Sequence, residues 1–346
     1  MDRLRSLWLE SKRRLNLLTN HTFTLPVIVF YATERCNCRC VMCDIWRCSR
    51  KRELDFSEIE TIARALRPFA TRNVVLSGGE PLLRRDIFAI CRTFQKNGIM
   101  PLLITNGLLL EELSGELTTF LPGAMVSIDG SRAEIHDAIR GVNCFDKVVS
   151  GIRKVKNVNP GFRIVGRTTV QKANYFDLPD IVRLAKEIGL DMISFIAADV
   201  TSPSFGRSDE LTEERRMGIL LAEKELAMFK KLLEKLIERH SDDFRSGFIA
   251  ETPERLWRIY RYYGAMLGKN RFPQVSCNAP WASLVIESDG QVRPCFFQPP
   301  IGNLRQRSLK DVVCSPRLRT FRKNLNPQED PVCVRCVLPM EFNFIH

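Results

Sequence analysis

Three closely spaced cysteines are the residues of this sequence whose type and spacing point most directly to chemistry. Cys36, Cys40 and Cys43 follow the pattern C-x3-C-x2-C, directly after an apolar segment. Three thiolates can bind three irons of a 4Fe–4S cluster, so that the fourth iron has no protein ligand. An open coordination position is typical of a catalytic metal site. With Cys38 included, the same segment could hold a zinc ion, although a tetrahedral site would be cramped.

A second set of cysteines lies near the end of the sequence. Cys277 and Cys295 precede the pair Cys333-x2-Cys336. Two such pairs can hold a structural zinc ion in a ribbon with four thiolate ligands, and they can equally hold an iron–sulfur cluster. Cys314 is the residue that could replace one of these four. The other cysteines have no partner at ligand spacing and are expected to be ordinary thiols: Cys48, Cys91 and Cys144.

The elements that must position the first cysteines alternate along the chain. Apolar runs of strand length are separated by amphipathic helical stretches. Six such strand–helix units predict parallel strands joined by crossover helices, and hence an α/β fold built as a partial (β/α)6 barrel. The predicted strands are Pro26–Ala32, Asn73–Ser77, Pro101–Thr105, Gly123–Asp129, Arg163–Val170 and Asp191–Ala197.

Four segments are predicted. Residues 1–24 predict a basic amphipathic helix that could pack on its own domain, on a partner or on a membrane surface. Residues 25–210 form the barrel, with a capping box at Ser57 and Glu60. Residues 211–270 are linking helices, including a long one at Glu213–His240. Residues 271–346 are a small cysteine-rich domain with a β-hairpin turned at Asp289-Gly290. The apolar positions of the first helix are Leu4, Leu7, Trp8, Leu15 and Leu18.

Composition narrows the class of protein. The formal charge of +12 raises the prospect of a polyanionic partner, but no Lys/Arg run is long, so nucleic acid binding is not expected. Charged residues at the start exclude a signal peptide, and no apolar stretch reaches the roughly 18 residues of a membrane span. We therefore expect a cytoplasmic protein, in which clustered cysteines bind metal rather than form disulfides.

Read together with the segments that follow the next strands, the first cysteine motif resembles the radical S-adenosylmethionine (SAM) superfamily, from about residue 26 to residue 200. The segment Ser77-Gly-Gly-Glu-Pro81 follows the second predicted strand, and its glycines allow close backbone approach. The resemblance implies that this segment binds the amino group of SAM, and that later strand ends contact its ribose, carboxylate and adenine. The residues implied are Gly78, Gly79, Glu80, Asn106, Ser127, Asp129, Arg167 and Thr169.

The same resemblance implies a mechanism. SAM binds the open iron of the first 4Fe–4S cluster, and one electron breaks a sulfur–carbon bond to release a 5′-deoxyadenosyl radical. That radical removes a hydrogen atom from the substrate, while the protein orients the reactants and excludes water. An electron donor such as a flavodoxin or ferredoxin is expected.

The C-terminal cysteines resemble the SPASM/twitch auxiliary domains of radical SAM enzymes, with Gly290-x4-Cys295 on the predicted hairpin. No cysteine follows Cys336, so the shorter form with one auxiliary 4Fe–4S cluster is expected. Four thiolates occupy all the irons of such a cluster. Its remaining roles are electron transfer and stabilisation of the small domain. We therefore expect an oxidoreductase, with Asp199 and Arg207 as candidate catalytic residues for proton transfer.

The sequence leaves the substrate open between a peptide and a small molecule. A redox-neutral rearrangement or RNA modification, with a structural second cluster, is the alternative reaction. A non-catalytic iron–sulfur or zinc scaffold is the alternative class of protein, and the strand-end polar residues argue against it.

Overall fold

One continuous sheet is the frame of the molecule. The computed structural model describes residues 2–48 and 52–341, with side chains from residue 8 onward. The strands of this part of the chain are β1 (Val27–Thr33), β2 (Asn73–Gly78), β3 (Met100–Thr105), β4 (Gly123–Ser127), β5 (Arg163–Val170), β6 (Met192–Ala197), β7 (Ser283–Ile286), β8 (Gln291–Arg293) and β9 (Gly302–Asn303).

The strand order confirms the parallel barrel portion and extends it. The order is β6-β5-β4-β3-β2-β1-β7-β8-β9. The pairs from β6 to β7 are parallel, and β8 and β9 add antiparallel pairs. Parallel strands need crossover connections, and the helices between the first six strands supply them.

The helices of the described residues cover the outer face of this sheet and connect it to the C-terminal segment. They are α1 (Asp2–Thr19), α2 (Phe56–Leu66), α3 (Ile87–Lys96), α4 (Ser114–Phe120), α5 (Ala133–Arg140), α6 (Phe145–Val158), α7 (Leu178–Glu187), α8 (Glu213–Ile219), α9 (Glu223–Arg239), α10 (Ser241–Arg245), α11 (Pro253–Met266), α12 (Ala279–Ala282), α13 (Leu309–Val313), α14 (Pro316–Asn324) and α15 (Pro331–Val334). Short 3-10 turns lie at Ile45–Arg47, Arg67–Phe69, Pro81–Leu83 and Tyr175–Asp177.

The two faces of the sheet differ in what they bury. On β1, Ile28 and Phe30 belong to the main hydrophobic core beneath the helices. Val29 and Tyr31 alternate with them and pack instead with Ile45, just after the first cysteines. Because successive side chains of a strand point to opposite faces, Val29 and Tyr31 define the face that meets the cysteine segment. We call this the inner face.

Because the strands pair in register, the inner face continues from strand to strand across the sheet. Val29 lies opposite Val75 on β2 and opposite Val285 on β7. The same alternation, followed through β3 and β4, places Ser127 on the inner face, opposite Arg167 on β5. Both predicted SAM contacts therefore face the interior of the partial barrel.

The boundary predicted near residue 270 does not separate two independent sheets. The predicted hairpin is confirmed, since Ile286 pairs with Val292 and Gly290 turns the chain with a φ of 86°. However, β7 pairs with β1 over Val27–Phe30, so the C-terminal segment continues the barrel sheet. Residues 342–346 of the predicted domain lie outside the described residues.

The long helix predicted over Glu213–His240 is wrong, because the chain is interrupted between α8 and α9. The backbone N–H of Lys172 donates to the carbonyl of Ile219 at 2.8 Å, which ties the end of α8 to the chain after β5. The next helix starts again where Glu225 accepts from the N–H of Ala222 at 2.7 Å. A tertiary contact thus overrides continuous helical periodicity.

The capping box lies two residues earlier than the predicted pair, Ser57 and Glu60. Asp55 accepts from the N–H of Glu58 at 2.9 Å, and Glu58 accepts from the N–H of Asp55 at 2.8 Å. Helix α2 therefore begins at Phe56. Both pairs obey the same three-residue spacing, and an Asp caps a helix as well as a Ser does.

The predicted apolar face of the N-terminal helix is not the face that α1 buries. Trp8, Leu15 and Leu18 are 53%, 41% and 80% exposed. The side chains of Leu4 and Leu7 lie outside the described residues. Membrane contact through this helix stays a prediction. No helix in residues 2–48 and 52–341 has the length and apolar character needed to span a bilayer.

A buried polar residue attaches α1 to the domain instead. Asn16 is fully buried, and its amide nitrogen donates to the carbonyls of Thr24 and Trp281, each at 2.7 Å. Its amide oxygen accepts from the N–H of Phe23 at 2.7 Å. Hydrogen bonds are directional, so this residue fixes the position of α1 against the start of β7.

Replacement of Asn16 by Ala should destabilise the protein by about 2 to 4 kcal/mol, because buried carbonyls lose their donors. The measurement is thermal unfolding of anaerobically purified protein. Leu18→Ala is the matched control on the exposed side of the same helix, and its transition should stay within error of wild type. Equal transitions for both variants would contradict the role given to Asn16.

Candidate active site

The first three cysteines lie on an irregular loop, residues 34–44, between β1 and the 3-10 turn at Ile45–Arg47. The loop has neither helical nor sheet hydrogen bonding of its own, so its backbone groups must find partners elsewhere. Three other segments provide them. Each segment comes from a different part of the chain and approaches the loop at the same end of the parallel strands.

The Gly-Gly-Glu segment after β2 is the first of these partners. Gly79 donates its N–H to the carbonyl of Thr33, and Glu80 donates to the carbonyl of Arg35, both at 2.8 Å. A Cβ at Gly79 would lie 2.2 Å from the carbonyl oxygen of Arg35, and one at Gly78 would lie 2.4 Å from that of Thr33. Gly78 also has a φ of 109°. The two glycines are therefore required for close contact with the cysteine loop.

The end of α5 is the second partner. The N–H groups of Arg39 and Val41 donate to the carbonyls of Arg140 and Ile139 at 2.9 and 3.0 Å. These carbonyls belong to the last turn of the helix, where no intrahelical donor is available to them. Gly141 ends α5 with a φ of 69°, and a Cβ there would lie 2.4 Å from the carbonyl oxygen of Arg39.

Arg140 adds a buried charge to this contact. Its Nη1 donates to the sulfur of Cys40 at 3.7 Å, and its Nη2 lies 2.5 Å from a carboxylate oxygen of Asp129. The Cys38 thiol, and then the Arg140 charge, lower the pKa of Cys40 to about 6 against the opposing effect of burial. This combination favours the thiolate form that binds metal.

The loop after β6 is the third partner. The N–H of Asp44 donates to the carbonyl of Phe205 at 2.8 Å, and Arg207 donates to the carbonyl of Met42 at 3.3 Å. Arg207 forms a buried ion pair with Asp199. These two predicted catalytic residues are therefore each other's partners in the structure. The contacts support a role in holding the cysteine loop, and proton transfer stays a prediction.

The chemistry of the three donors suits an iron–sulfur cluster. Cys36, Cys40 and Cys43 lie on one loop, and cysteine thiolate is the usual ligand of a 4Fe–4S cluster. In the part of the chain that the structure describes, the one group of three potential ligands whose donor atoms lie within 4.8 Å of one another is His136, Asp137 and Cys144.

Cys38 lies among other thiols. Its own thiol is buried beside Cys144, Cys36 and Cys40, and these contacts with burial raise its pKa far above the ordinary value. Burial also raises the pKa of Cys43, to about 12. That Cys36, Cys40 and Cys43 bind the metal, and Cys38 does not, stays a prediction.

Glu80 is buried within the loops rather than pointing into open space. Its carboxylate accepts from Thr105 at 2.8 Å, from the N–H of Asn106 at 2.7 Å and from the N–H of Leu82 at 3.1 Å. Burial raises its pKa to about 7 against these hydrogen bonds. A carboxylate has about four acceptor positions, so one remains unused by these three donors, and its contact with the ammonium group of SAM stays a prediction.

The other predicted SAM contacts divide into two groups. Asn106 contacts the cysteine loop, because its amide donates to the side chain of Asn37 at 2.7 Å and to the sulfur of Cys36 at 3.9 Å. Asp129 is fully buried and accepts from the N–H of Thr169 at 2.7 Å in addition to its ion pair. It is thus committed to protein partners.

Ser127, Thr169 and Arg167 lie on the inner face near the ends of β4 and β5. Ser127 ends β4 and pairs with Arg167 of β5. Thr169 lies one inner-face position nearer the end of β5, and its N–H donates to Asp129. Arg167 also lines a cavity with Glu251 and Arg255. Its contact with SAM stays a prediction.

The second set of cysteines lines one apolar cavity. Cys277, Cys295, Cys333 and Cys336 all face it, together with Val29 and Val285 of the inner face. Cys314 is not among the lining residues and lies at the end of α13. Burial raises the pKa of Cys295 to about 11 and that of Cys336 to about 12. Metal binding must therefore displace their protons.

Polar neighbours support this second site. Asp330 starts α15 by accepting from the N–H of Val332 at 3.0 Å and of Cys333 at 2.9 Å. Gln298 donates to Asp330 at 3.0 Å and to the sulfur of Cys333 at 3.6 Å. Such contacts orient metal ligands and adjust the potential of a cluster. The four cysteines thus fit a closed metal site with its own supporting residues.

Sequence reasoning missed Arg140, Gly141 and Phe205 as parts of the active site. The sequence offers a signal for two of them, since an Arg-Gly pair that ends an amphipathic helix is a typical helix stop. Their contact with the cysteine loop depends on tertiary folding. No local pattern singles out Phe205, which acts through its backbone carbonyl.

Gly79→Ala should remove the first cluster, because the new Cβ collides with a backbone carbonyl of the cysteine loop. Reconstituted wild-type protein should hold about eight irons, and the variant about four. Gly115→Ala is the control, since a Cβ there meets nothing within 4 Å. Anaerobic iron and sulfide analysis makes the measurement. Full iron content in Gly79→Ala would overturn the close-approach argument.

Arg140→Gln should destabilise the protein by about 3 to 5 kcal/mol, because Asp129 is then a buried charge without a partner. Thermal unfolding of the metal-free protein isolates this effect from cluster binding. Arg153→Gln, on an exposed position of α6, serves as the matched control. A variant as stable as this control would show that the ion pair is dispensable.

Comparison with known proteins agrees with this geometry. The family model described as the radical SAM superfamily matches residues 30–185, and the SPASM model, described as an iron–sulfur cluster-binding domain, matches residues 277–337. The chain is 27% identical over 338 residues to the Fe-coproporphyrin III synthase of Methanosarcina barkeri, covering 90% of this chain and 80% of that protein. It is 30% identical over 303 residues to the probable GTP 3',8-cyclase of Metallosphaera sedula, covering 84% and 87%.

A solved structure shares the fold over most of the chain. The SAM-bound structure of SuiB from Streptococcus suis aligns with a TM-score of 0.65 at 18% identity, over 95% of this chain and 76% of that one. SuiB has also been solved with its precursor peptide SuiA, and that structure aligns equally well, with a TM-score of 0.65. The cofactors that the two family models imply, SAM and 4Fe–4S clusters, fit the donor groups described above. The chain therefore belongs to the radical SAM superfamily and carries a C-terminal SPASM domain.

Proposed function

We propose that the protein removes two hydrogens from a C–H position of its substrate, and that the C-terminal cluster accepts an electron in this oxidation. The observation that supports the proposal is an aromatic contact between the two cysteine sites. Phe205 has its backbone carbonyl oxygen 3.8 Å from the sulfur of Cys43. Its ring lies 6.0 Å from that of Phe296, the residue after Cys295.

This contact leaves few residues between the sites. Phe296 is also 5.8 Å from Tyr31 of the inner face, measured between ring centroids. The apolar cavity of the second set is lined by Val29, two residues before Tyr31. Both sites therefore adjoin the same face of the same sheet. A closed cluster at this position supports the proposal of electron transfer, since four protein thiolates leave it no open position for Lewis-acid chemistry.

SAM and the first cluster, when bound, supply a radical able to remove a hydrogen atom from an unactivated carbon. The residues of this chain hold Cys36, Cys40 and Cys43 in place, exclude water and present polar groups at the strand ends. A substrate that has lost a hydrogen atom becomes a stable oxidised product by losing one electron and one proton. Asp199 remains the candidate proton acceptor, and an external one-electron donor restores the reduced state.

We infer a small molecule as substrate. The synthase and the cyclase named above are 27% and 30% identical to this chain, which covers 80% and 87% of their lengths. A peptide is the second candidate, because the structure of SuiB with its precursor peptide shares the fold over 94% of this chain. A redox-neutral rearrangement is the alternative reaction, in which the second cluster would only stabilise the fold.

Two sets of variants test the proposal. Replacing Cys36, Cys40 and Cys43 together by Ala should abolish deoxyadenosine formation by dithionite-reduced protein, because SAM then has no cluster to bind. Replacing the four C-terminal cysteines should lower the iron content by about four, since each cubane needs its own thiolates. Uncoupled SAM cleavage should survive that second change, whereas substrate oxidation should not.

The mass of the product decides the type of reaction. With substrate present, the product should lack two hydrogens, with one SAM consumed per event. High-resolution mass spectrometry makes the measurement, and wild-type enzyme without SAM is the control. An unchanged mass would favour the rearrangement. SAM cleavage at the wild-type rate without the first three cysteines would contradict the assigned site.

A further inference from the structure

A second cavity lies on the inner face, away from the first cysteines. It has a volume of about 300 Å³ and is enclosed by β5, β6, helix α11 and the segment from Cys336 to Glu341. Its polar side chains come from several of these elements, with Arg167 from β5 and Arg255 and Tyr262 from α11. Of the predicted SAM contacts, Arg167 alone lines this cavity, and Cys336 of the second cysteine set lies at its edge.

Two polar groups that face the cavity lack an acceptor among the described residues. Tyr262 is 3% exposed, and in the described part of the chain its hydroxyl has no hydrogen-bond partner. The Nε atom of Arg167 is buried and likewise lacks a partner among those residues. Burial lowers the pKa of Arg167, with Glu251 opposing this effect. A buried donor without an acceptor destabilises the folded state, so each such group needs an explanation.

The carboxylates at the cavity do not satisfy these donors. One oxygen of Glu251 accepts from the Ser194 hydroxyl at 2.6 Å, and the other accepts from the N–H of Phe195 at 2.8 Å. Glu251 is thereby held against β6. At the other end, Glu341 accepts from the hydroxyl of Ser276. Three arginines face two glutamates across the cavity, which leaves a positive balance.

The arginines of α11 strengthen this balance. Arg258 donates to the carbonyls of Gln274 and Cys336, which holds its charge beside the segment of the second cluster. Arg255 lies one helical turn away and is exposed. Like charges three residues apart on a helix repel each other, so Arg255 and Arg261 both act on the charge of Arg258. A bound anion would relieve this repulsion.

We infer that this cavity binds an anionic group of the substrate, a carboxylate or a phosphate, through Arg167, Arg255 and the hydroxyl of Tyr262. The inference rests on the proposed function only in taking the bound molecule to be the substrate. The inference also specifies the chemical class of the substrate, which must carry a negative charge at a distance from the carbon that reacts. Anchoring at a remote group is a common way to orient a reactive position.

Anion binding to the reconstituted holoenzyme, saturated with SAM, tests the inference directly. The probes are glutarate for a carboxylate source and pyrophosphate for a phosphate source, titrated by calorimetry. At least one should bind. Arg255→Gln should weaken it about tenfold, by removing a charge-assisted contact, and Tyr262→Phe about fivefold. Added salt should weaken binding to wild type more than to Arg255→Gln.

Both substitutions leave the fold intact, because Arg255 is exposed and the Tyr262 hydroxyl has no partner to lose among the described residues. Arg261→Gln, an exposed position on the same helix outside the cavity, is the matched control and should bind as wild type does. Uncoupled SAM cleavage should be unchanged in all three variants, which separates this site from the reaction itself. Failure of the proposed oxidation would leave anion binding intact.

Three results would overturn the inference. The first is that neither probe binds the wild-type holoenzyme at millimolar concentration. The second is that Arg261→Gln weakens binding as much as Arg255→Gln does, which would show a diffuse charge effect. The third is a fall in the affinity for SAM, measured by the same method, in Arg167→Gln and Tyr262→Phe while probe binding stays the same. That last result would assign the cavity to the carboxylate of SAM.

Discussion

An irregular loop that carries three cluster ligands has to be held by hydrogen bonds from outside itself, and the active site depends on this constraint. A loop without helix or sheet has few internal partners for its N–H and C=O groups, and in this one the N–H of Cys43 donates to the carbonyl of Cys40. Here the partners are the glycines after β2, the last carbonyls of α5 and the segment around Phe205. All three reach the loop because parallel strands end at the same edge of a sheet. The barrel thus positions the cysteines through backbone contacts.

Charge is arranged around the loop in buried pairs. Arg140 with Asp129, and Arg207 with Asp199, each bring a guanidinium to the cysteine segment. Buried pairs of this kind contribute little net stability, but the loss of one partner is costly. Their effect is therefore to fix geometry. Arg140 illustrates this, since the same side chain touches a predicted SAM residue and a thiol ligand.

Continuity of the sheet joins the two cysteine sets. Because β7 pairs with β1, the segment that leads to Cys295 starts from the same inner face as the first loop. The apolar cavity of the second set is partly lined by that face. The arrangement explains how one chain can place two metal sites on either side of an aromatic contact. The charged cavity next to the segment of Cys336 is also lined by a residue of this face, Arg167.

The sequence by itself determined the order of elements and predicted the ligands, because both depend on local spacing. The prediction of Cys36, Cys40 and Cys43, the strands β1 to β6 and the hairpin at Gly290 follow from patterns a few residues long. The break before α9 and the docking of α1 through Asn16 depend on partners more than 40 residues away along the chain. Strand alternation assigns a side chain to a face, but only the packed structure decides which cavity and which charges it meets there.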